Sequence, residues 1–351
     1  MAGERLYLDH AATTPLLPAA RSAMADALAG WANPSSPHAE GRAARAALED
    51  ARRRIAATLD YSGSIIFTSG ATEAIEIALR RAKAGPRAIA AVEHDAVRRA
   101  APDARILPVD ASGRVGPATI EPGSLVAIQA VNNETGVIQP LDALAADIRQ
   151  AGGLLLADCA QSAGKIALPD ADFIAVSAHK LGGPPGIGAL LVRDLAMLAP
   201  GGGQEHGYRG GTENLPAALG FAAALDAGTD WLDRACALRD RLDSAIRAAG
   251  GIVVADAADR LPTIASYRMP GVAATAQLIR FDLAGIAVSA GSACSSGSLK
   301  PSHVLAAMGW DEAAAREVVR ISFGPDSNEA GVDRVIAEWR AIAGAARARA
   351  A

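Results

Sequence analysis

Short apolar runs alternate with helix-forming segments along most of the chain, and this alternation constrains its fold more than any other feature. Short apolar runs bounded by turn residues are typical of buried strands. Such runs predict strands at residues 64–68, 87–92, 125–130, 153–157, 172–177 and 187–192. Because helical segments separate them, these strands should pair mainly in parallel, with the helices covering the sheet. We therefore predict an α/β fold.

Helix-forming segments and a later change of pattern suggest two domains. Helices are predicted at residues 37–59, 74–84, 141–151 and 216–249, the last with a break near Gly228. Beyond Trp231 the apolar runs become shorter, at residues 252–255, 263–268 and 318–323. A length of 351 residues also fits two domains of roughly 100–200 residues each. We place a boundary near Trp231 and expect a smaller mixed domain after it.

Composition excludes several classes of function. A net charge of −4 and a pI of about 5.9 provide no field that would recruit nucleic acid or an anionic membrane. Neither an apolar signal-peptide core nor a membrane-spanning run is found, so we expect a cytosolic protein. Cys159, Cys236 and Cys294 form no CxxC pair. We therefore expect neither structural zinc nor a disulfide framework.

A lysine and an aspartate each follow a predicted buried strand. Lys180 lies three residues past the end of the strand at residues 172–177, and Asp158 comes directly after the strand at residues 153–157. Ligands of open α/β sheets bind at the carboxyl ends of the strands, where a lysine can form a Schiff base and a carboxylate can pair with a pyridinium nitrogen. Taken singly, the lysine could simply end a strand at the surface and the aspartate could cap a helix. Together they favour a pyridoxal phosphate site.

Small and polar residues nearby could complete such a site. The segment 68–73, Thr-Ser-Gly-Ala-Thr-Glu, joins a predicted strand to a predicted helix, and a helix N-terminus favours a phosphate group. Any capped strand-to-helix turn looks similar, however. Ser177 and His179 flank the lysine and could donate to the same phosphate. His94 also follows a strand, where it could stack on a cofactor ring and transfer protons, although a lone histidine is more often structural.

Two residues of the C-terminal third suggest sulfur chemistry on a carboxylate substrate. Cys294 lies in the small, glycine-punctuated segment 289–298, which predicts an exposed loop rather than the usual buried cysteine. Its thiolate would be the reactive form. Arg320 interrupts the apolar run 318–323, where it could bind an amino-acid carboxylate or form a structural salt bridge. Cys159 and Cys236 are expected to serve packing.

Taken together, these segments resemble the cysteine desulfurases of the class V aminotransferase family, of the iron–sulfur assembly type. The resemblance runs nearly end to end. It is carried by residues 7–15, 33–38, 68–73, 93–94, 132–136, 158–161, 177–180, 201–205, 209–214 and 289–302. It implies the fold of type I pyridoxal-phosphate transferases, with a mainly parallel seven-stranded sheet. It also implies a large cofactor-binding domain at residues 16–232 and a smaller α/β domain, made of residues 1–15 and 233–351, that carries the cysteine loop.

The resemblance also implies a role for each site residue. Lys180 would bind the cofactor, His94 would stack on its ring, and Asp158 would pair with the ring nitrogen. Asn133 and Gln161 would contact the phenolic oxygen. The phosphate would be held by the backbone of Ala71 and Thr72, by Ser177 and His179, and by Thr212 of a neighbouring subunit in a homodimer. Asn33 and Arg320 would bind the substrate carboxylate.

The implied reaction converts L-cysteine to L-alanine. Lys180 would remove the Cα proton, and Cys294 would take the sulfur as a persulfide for delivery to an acceptor or scaffold protein of iron–sulfur assembly. A selenocysteine lyase, another class V enzyme or a silent assembly scaffold would share much of this sequence. Glu76 and Pro185 depart from the family pattern, in which asparagine and lysine are usual, and residues 83–123 look short.

Overall fold

The computed structural model describes residues 5–117, 119–293 and 299–350. The predicted sulfur carrier, Cys294, lies outside the described residues. Among them no helix is long and apolar enough to cross a membrane.

A seven-stranded sheet forms the centre of the molecule. Its strands, in chain order, are β2 (Ser64–Thr68), β3 (Arg87–Ala90), β4 (Arg105–Leu107), β5 (Leu125–Gln129), β6 (Leu154–Asp158), β7 (Phe173–Ser177) and β8 (Gly188–Val192). They lie side by side in the order β2-β8-β7-β6-β5-β3-β4. Pairs from β4 to β7 are parallel, and β8 is antiparallel to both of its neighbours. The predicted mainly parallel sheet is confirmed.

The pairing register brings the ends of the parallel strands together. Gln129 at the end of β5 is opposite Asp158 at the end of β6, which in turn is opposite Ala175, two residues before the end of β7. Every residue of β5, β7 and β8 is buried. Such continuous burial explains why these strands read as uninterrupted apolar runs, since helices cover both faces of a parallel sheet.

Eleven helices are found among the described residues. They are α1 (Pro18–Ala29), α2 (Ala39–Thr58), α3 (Ala71–Arg81), α4 (Asp95–Ala100), α5 (Leu141–Gln150), α6 (Leu215–Asp226), α7 (Leu232–Ala248), α8 (Ala274–Leu283), α9 (His303–Ala307), α10 (Glu312–Ala315) and α11 (Glu329–Ala350). The predicted break near Gly228 is confirmed, because that glycine has a φ of +72° between α6 and α7. Helix α3 begins three residues before the predicted start, so Ala71 and Thr72 belong to its first turn.

A second sheet and a second core form beyond α7. Strands β9 (Ile252–Val253), β10 (Ile264–Arg268) and β14 (Val318–Ser322) pair antiparallel in the order β14-β10-β9. The N-terminal β1 (Leu6–Tyr7) pairs in parallel with β11 (Ile286–Ala287), and β12 (Ser292–Ala293) pairs with β13 (Leu299–Lys300). Buried Tyr267, Phe281 and Trp339 fill the core beside this sheet.

Candidate active site

A cavity of about 570 Å³ opens at the carboxyl ends of the parallel strands. Most of the predicted site residues line it, namely Ala71, Thr72, His94, Asn133, Asp158, Gln161, Ser177, His179, Lys180 and Arg320. The rule that ligands bind where parallel strands end therefore located this cavity correctly.

Lys180 occupies a single helical turn directly after β7. Burial is the main cause that lowers the pKa of its amine; Arg320 lowers it further, whereas Asp158 raises it. A lowered pKa increases the fraction of neutral amine near neutral pH, and the neutral amine is the form that forms a Schiff base or accepts a proton. The alternative of a lysine ending a strand at the surface does not hold.

Asp158 ends β6 inside the cavity and is buried. Its Oδ1 accepts a hydrogen bond from the Ala160 amide at 2.9 Å within a turn, and no described helix begins there, so the helix-cap alternative does not hold. The fully buried Glu93 lies close enough that the Asp158 charge contributes to its raised pKa, although burial is the larger cause. The raised pKa of Glu93 favours its neutral form, which lessens repulsion with the Asp158 carboxylate.

The start of α3 provides a place for a phosphate group. Gly70 precedes the helix with a φ of +151°, and no side chain caps the helix N-terminus. Glu73 instead accepts from the Ser69 amide at 2.5 Å and from Arg209 Nε at 2.9 Å, which holds this turn in place. An uncapped helix N-terminus that faces a cavity offers backbone amides and a favourable dipole to an anion.

His94 is held by a backbone contact at the start of α4. Its Nδ1 accepts a hydrogen bond from the Ala96 amide at 3.1 Å. Since an amide can only donate, neutral His94 must carry its proton on Nε2. Burial lowers the pKa of the ring, and the neighbouring Lys180 lowers it further, so the neutral form is favoured.

His179 and the N-terminal segment meet at the same edge of the cavity. The His179 Nδ1 lies 3.1 Å from Thr13 Oγ1. Burial, followed by the charge on Lys180, lowers the pKa of His179 to about 4. The ring is therefore neutral at physiological pH and can act only as a dipolar hydrogen-bonding group towards an anion.

Arg320 reaches the cavity from β14. Its Nη1 donates to the Asn133 carbonyl oxygen and its Nη2 to Asp9 Oδ1, both at 2.8 Å. Its Nε is buried and has no partner among the described residues. The structural salt bridge that the sequence left open therefore exists, but it leaves one donor of the guanidinium without a protein partner in the described part of the chain.

Two predicted residues are not brought to this cavity. Asn33 and Thr212 do not line it within the described part of the subunit, and Asn33 Oδ1 instead accepts from the Ser35 amide at 2.8 Å. Their roles towards the substrate and a neighbouring subunit stay predictions.

Sequence reasoning gave no individual role to Arg99, Gln129, Glu134 or His303, which also line the cavity. Glu134 lies in a segment that carries the family resemblance and His303 directly follows one, but their positions alone gave no reason to single them out. Cys159 belongs to the buried core, which confirms its packing role, and burial raises the pKa of its thiol to about 12.

The two departures from the family pattern lie in different places. Pro185 lines the cavity. Glu76 lies on α3, away from the cavity lining, and pairs with Arg80 at 2.8 Å. The effects of both departures stay open predictions.

The cavity suits pyridoxal phosphate chemically. It combines a buried amine, a buried carboxylate and an uncapped helix N-terminus, which match the aldehyde, ring nitrogen and phosphate of that cofactor. Buried Gln161 Oε1 also lacks a partner among the described residues, so the described protein does not satisfy the hydrogen-bonding capacity of this acceptor. Within the same described part, no cluster of histidine, cysteine or acidic residues could hold a metal ion.

Comparison with known proteins identifies related sequences over nearly the whole chain. The sequence model of the family described as Aminotransferase class-V matches residues 6–335. A cysteine desulfurase of Gluconacetobacter diazotrophicus is 39% identical over 94% of this chain and 91% of its own length. An IscS-like cysteine desulfurase of Mycobacterium tuberculosis is 37% identical over 94% of each chain.

Solved structures show the same fold. A NifS-like protein of Rickettsia africae superimposes with a TM-score of 0.88 and 29% identity, over 97% of this chain and 99% of that one. A structure described as SspA in complex with cysteine gives a TM-score of 0.80 and 30% identity, over 91% of this chain and 99% of that one. The predicted type I fold is therefore confirmed.

Proposed function

Because this chain belongs to the class V aminotransferase family, we propose that it is a pyridoxal-phosphate-dependent cysteine desulfurase. The proposal depends above all on one observation: a half-buried lysine, a buried aspartate and an arginine whose Nε has no partner among the described residues line the same cavity. Relatives named cysteine desulfurase and a similar structure in complex with cysteine support L-cysteine as the substrate.

Each residue of the cavity has a distinct task in this proposal. Lys180 would hold the cofactor, which when bound supplies an electron sink for negative charge at Cα. Asp158 would pair with the ring nitrogen, and the start of α3, with Ser177 and His179, would hold the phosphate. Arg320 orients the substrate carboxylate, and Lys180 Nζ then accepts the Cα proton, which its lowered pKa favours.

Sulfur transfer is assigned to Cys294. Its thiolate would accept the sulfur of cysteine as a persulfide, and alanine would be released. We further propose that the persulfide passes to an acceptor or scaffold protein of iron–sulfur assembly in the cytoplasm. The relatives named IscS support that pathway. A homodimer would bring Thr212 of a neighbouring subunit to the phosphate.

The decisive experiment compares Cys294→Ser with Cys236→Ser, whose cysteine lies half-buried on α7, away from the cavity. Both variants should bind the cofactor with unchanged absorbance. With cysteine and dithiothreitol, Cys294→Ser should lose alanine and sulfide formation, whereas Cys236→Ser should retain both. Mass spectrometry of the wild-type Cys294 peptide after incubation with cysteine should show one additional sulfur atom.

Two outcomes would contradict the proposal. Full alanine and sulfide formation by Cys294→Ser would remove the sulfur carrier from the reaction. A preference for selenocysteine that does not depend on Cys294 would support the lyase alternative instead.

A further inference from the structure

His303 lies on the cavity wall at the first residue of α9. The preceding Ser302 fixes this position: its Oγ donates to Glu134 Oε2 at 2.5 Å and accepts from the Leu305 amide at 3.1 Å. Because Ser302 and Glu134 are both buried, the backbone that carries His303 is held firmly beside the cavity.

A backbone contact also determines the tautomer of His303. Its Nε2 lies 2.9 Å from the carbonyl oxygen of Glu93. A carbonyl oxygen can only accept, so Nε2 must carry the proton and Nδ1 must hold a lone pair. No described residue forms a hydrogen bond to Nδ1, which is therefore available as an acceptor to a molecule in the cavity.

His94 differs from His303 in which ring nitrogen is free to form a further hydrogen bond. Its Nδ1 lone pair is already used by the Ala96 amide, and its remaining ring nitrogen carries the proton. While that cap is intact, His94 can donate a hydrogen bond but cannot accept a proton. Of these two cavity histidines, His94 is therefore a donor and His303 an acceptor; the third, His179, contacts Thr13 Oγ1 through its Nδ1.

Several ionisable groups surround His303. Burial raises the pKa of Glu134, and the hydrogen bond from Ser302 and the neighbouring His303 partly offset that rise. Arg320 acts on Glu134 in the same direction as His303, and Asp95 acts in the opposite direction. Arg99 of α4 lines the same wall, and Glu93 contacts His303 through its backbone carbonyl rather than its side chain.

We propose that His303 Nδ1 accepts the thiol proton of cysteine bound in the cavity, while His94 acts only as a hydrogen-bond donor. This inference rests on the proposed function. The S–H bond breaks with its electron pair remaining on sulfur and an N–H bond forms at Nδ1, while the other proton stays on Nε2, hydrogen-bonded to the Glu93 carbonyl. The imidazolium then returns its proton to water. No oxidant or reductant is involved.

The first test measures alanine formation in a single turnover, as a function of pH. His303→Gln can still donate an amide proton to the Glu93 carbonyl but has no base. We expect it to bind the cofactor normally, to form alanine about 100-fold more slowly at neutral pH, and to lose the acidic limb of the pH profile. Imidazole added to His303→Ala should restore part of the rate.

His38→Asn serves as the control, because His38 is an exposed histidine outside the cavity, and asparagine retains a side-chain cap on α2. It should keep the wild-type profile. If His303→Gln also keeps the wild-type rate and profile, the proposal is overturned.

A second test uses the wild-type protein alone and does not require catalysis. Nitrogen-15 spectra of wild-type protein labelled at histidine should show His303 protonated at Nε2 with an unprotonated Nδ1, and the reverse tautomer would refute the inference. Inability of the wild-type protein to form alanine from cysteine would instead refute the proposed function, and the two failures are thus distinguishable.

Discussion

Arg320 Nη2 donates to Asp9 Oδ1 at 2.8 Å, which joins β14 to the N-terminal segment at the edge of the cavity. The Asn133 carbonyl holds Nη1 of the same guanidinium. With two of its nitrogens fixed by the protein, the group needs little further ordering to bind a carboxylate through the rest of its fork.

Replacing Arg320 with lysine should weaken substrate binding. A hydrogen bond to a charged group contributes about 1.5–3 kcal/mol, so we expect the KM for cysteine to rise by roughly 10- to 150-fold, with cofactor absorbance unchanged. Steady-state alanine formation measures this. Arg316→Lys, at an exposed pair with Glu312, is the control and should leave KM unchanged. An unaltered KM in Arg320→Lys would show that Arg320 serves only the salt bridge with Asp9 and does not bind the substrate.

Gly188 controls the position of the phosphate site from within the sheet. A Cβ added there would lie 2.4 Å from the Val176 carbonyl oxygen and 2.7 Å from Gly70 Cα. Since neither backbone atom can move alone, Gly188→Ala should displace the start of α3. We expect a loss of about 1–3 kcal/mol in the free energy of unfolding and clearly weaker retention of the cofactor, measured by equilibrium dialysis.

Gly344→Ala is the matched control for that substitution. Gly344 lies in α11, and nothing is found within 4 Å of an added Cβ. Alanine should stabilise this helix by up to about 1 kcal/mol and leave cofactor binding unchanged. If Gly188→Ala bound the cofactor as tightly as the control, close packing at Gly70 would not position the phosphate site.

The buried Arg52–Glu205 pair stabilises the loop between β8 and α6. Glu205 accepts from Arg52 at 2.7 Å and from the Phe67 amide at 2.8 Å, and the guanidinium stacks 4.6 Å from the centre of the Phe67 ring. Glu205→Gln would remove one of the two carboxylates that pair with the Arg52 guanidinium, while Glu49 would remain 3.0 Å from its Nε. We expect a loss of about 1.5–3 kcal/mol in urea unfolding. Asp50→Asn, at an exposed pair with Arg53, should change stability little. Equal losses of stability in Glu205→Gln and Asp50→Asn would show that the buried pair contributes no more than the exposed pair.

His10 should make the protein less stable in acid. Burial, reinforced by Lys165, lowers the pKa of His10 from 6.5 to about 4. Between these two pKa values, the His10 of the unfolded chain binds more protons than the His10 of the native protein. The free energy of unfolding is therefore undiminished by His10 above pH ~6.5 and declines as the pH falls towards ~4. The loss should reach about 3 kcal/mol.

His10→Phe provides the comparison, because it keeps an aromatic ring beside Tyr7 without a titrating group. Urea unfolding at a series of pH values should show a smaller decline for the variant within this window. His179, whose pKa is also lowered to about 4, accounts for part of what remains. Parallel pH profiles for the two proteins would exclude His10 as a source of acid sensitivity.

Much of the sheet and the centre of the site could be predicted from the sequence. Buried parallel strands read as apolar runs, and their carboxyl ends share one edge. Asp158 and Lys180 were therefore predicted to meet, and both line the cavity. Predicted strand ends at residues 92 and 130 lie past the observed ends at Ala90 and Gln129, because apolar residues after a strand are buried as well and the pattern does not show where pairing stops.

The sequence by itself determined which segments form strands and which chemical groups follow them, because hydrophobic periodicity and strand direction are local properties of the chain. Only the tertiary structure decided that Asp9 meets Arg320, that His303 contacts the Glu93 carbonyl, and that Asn33 lies away from the cavity lining. The proton positions on His94 and His303 likewise follow from where single backbone groups lie. Contacts between residues far apart in the chain depend on how its segments pack, and no local pattern carries that information.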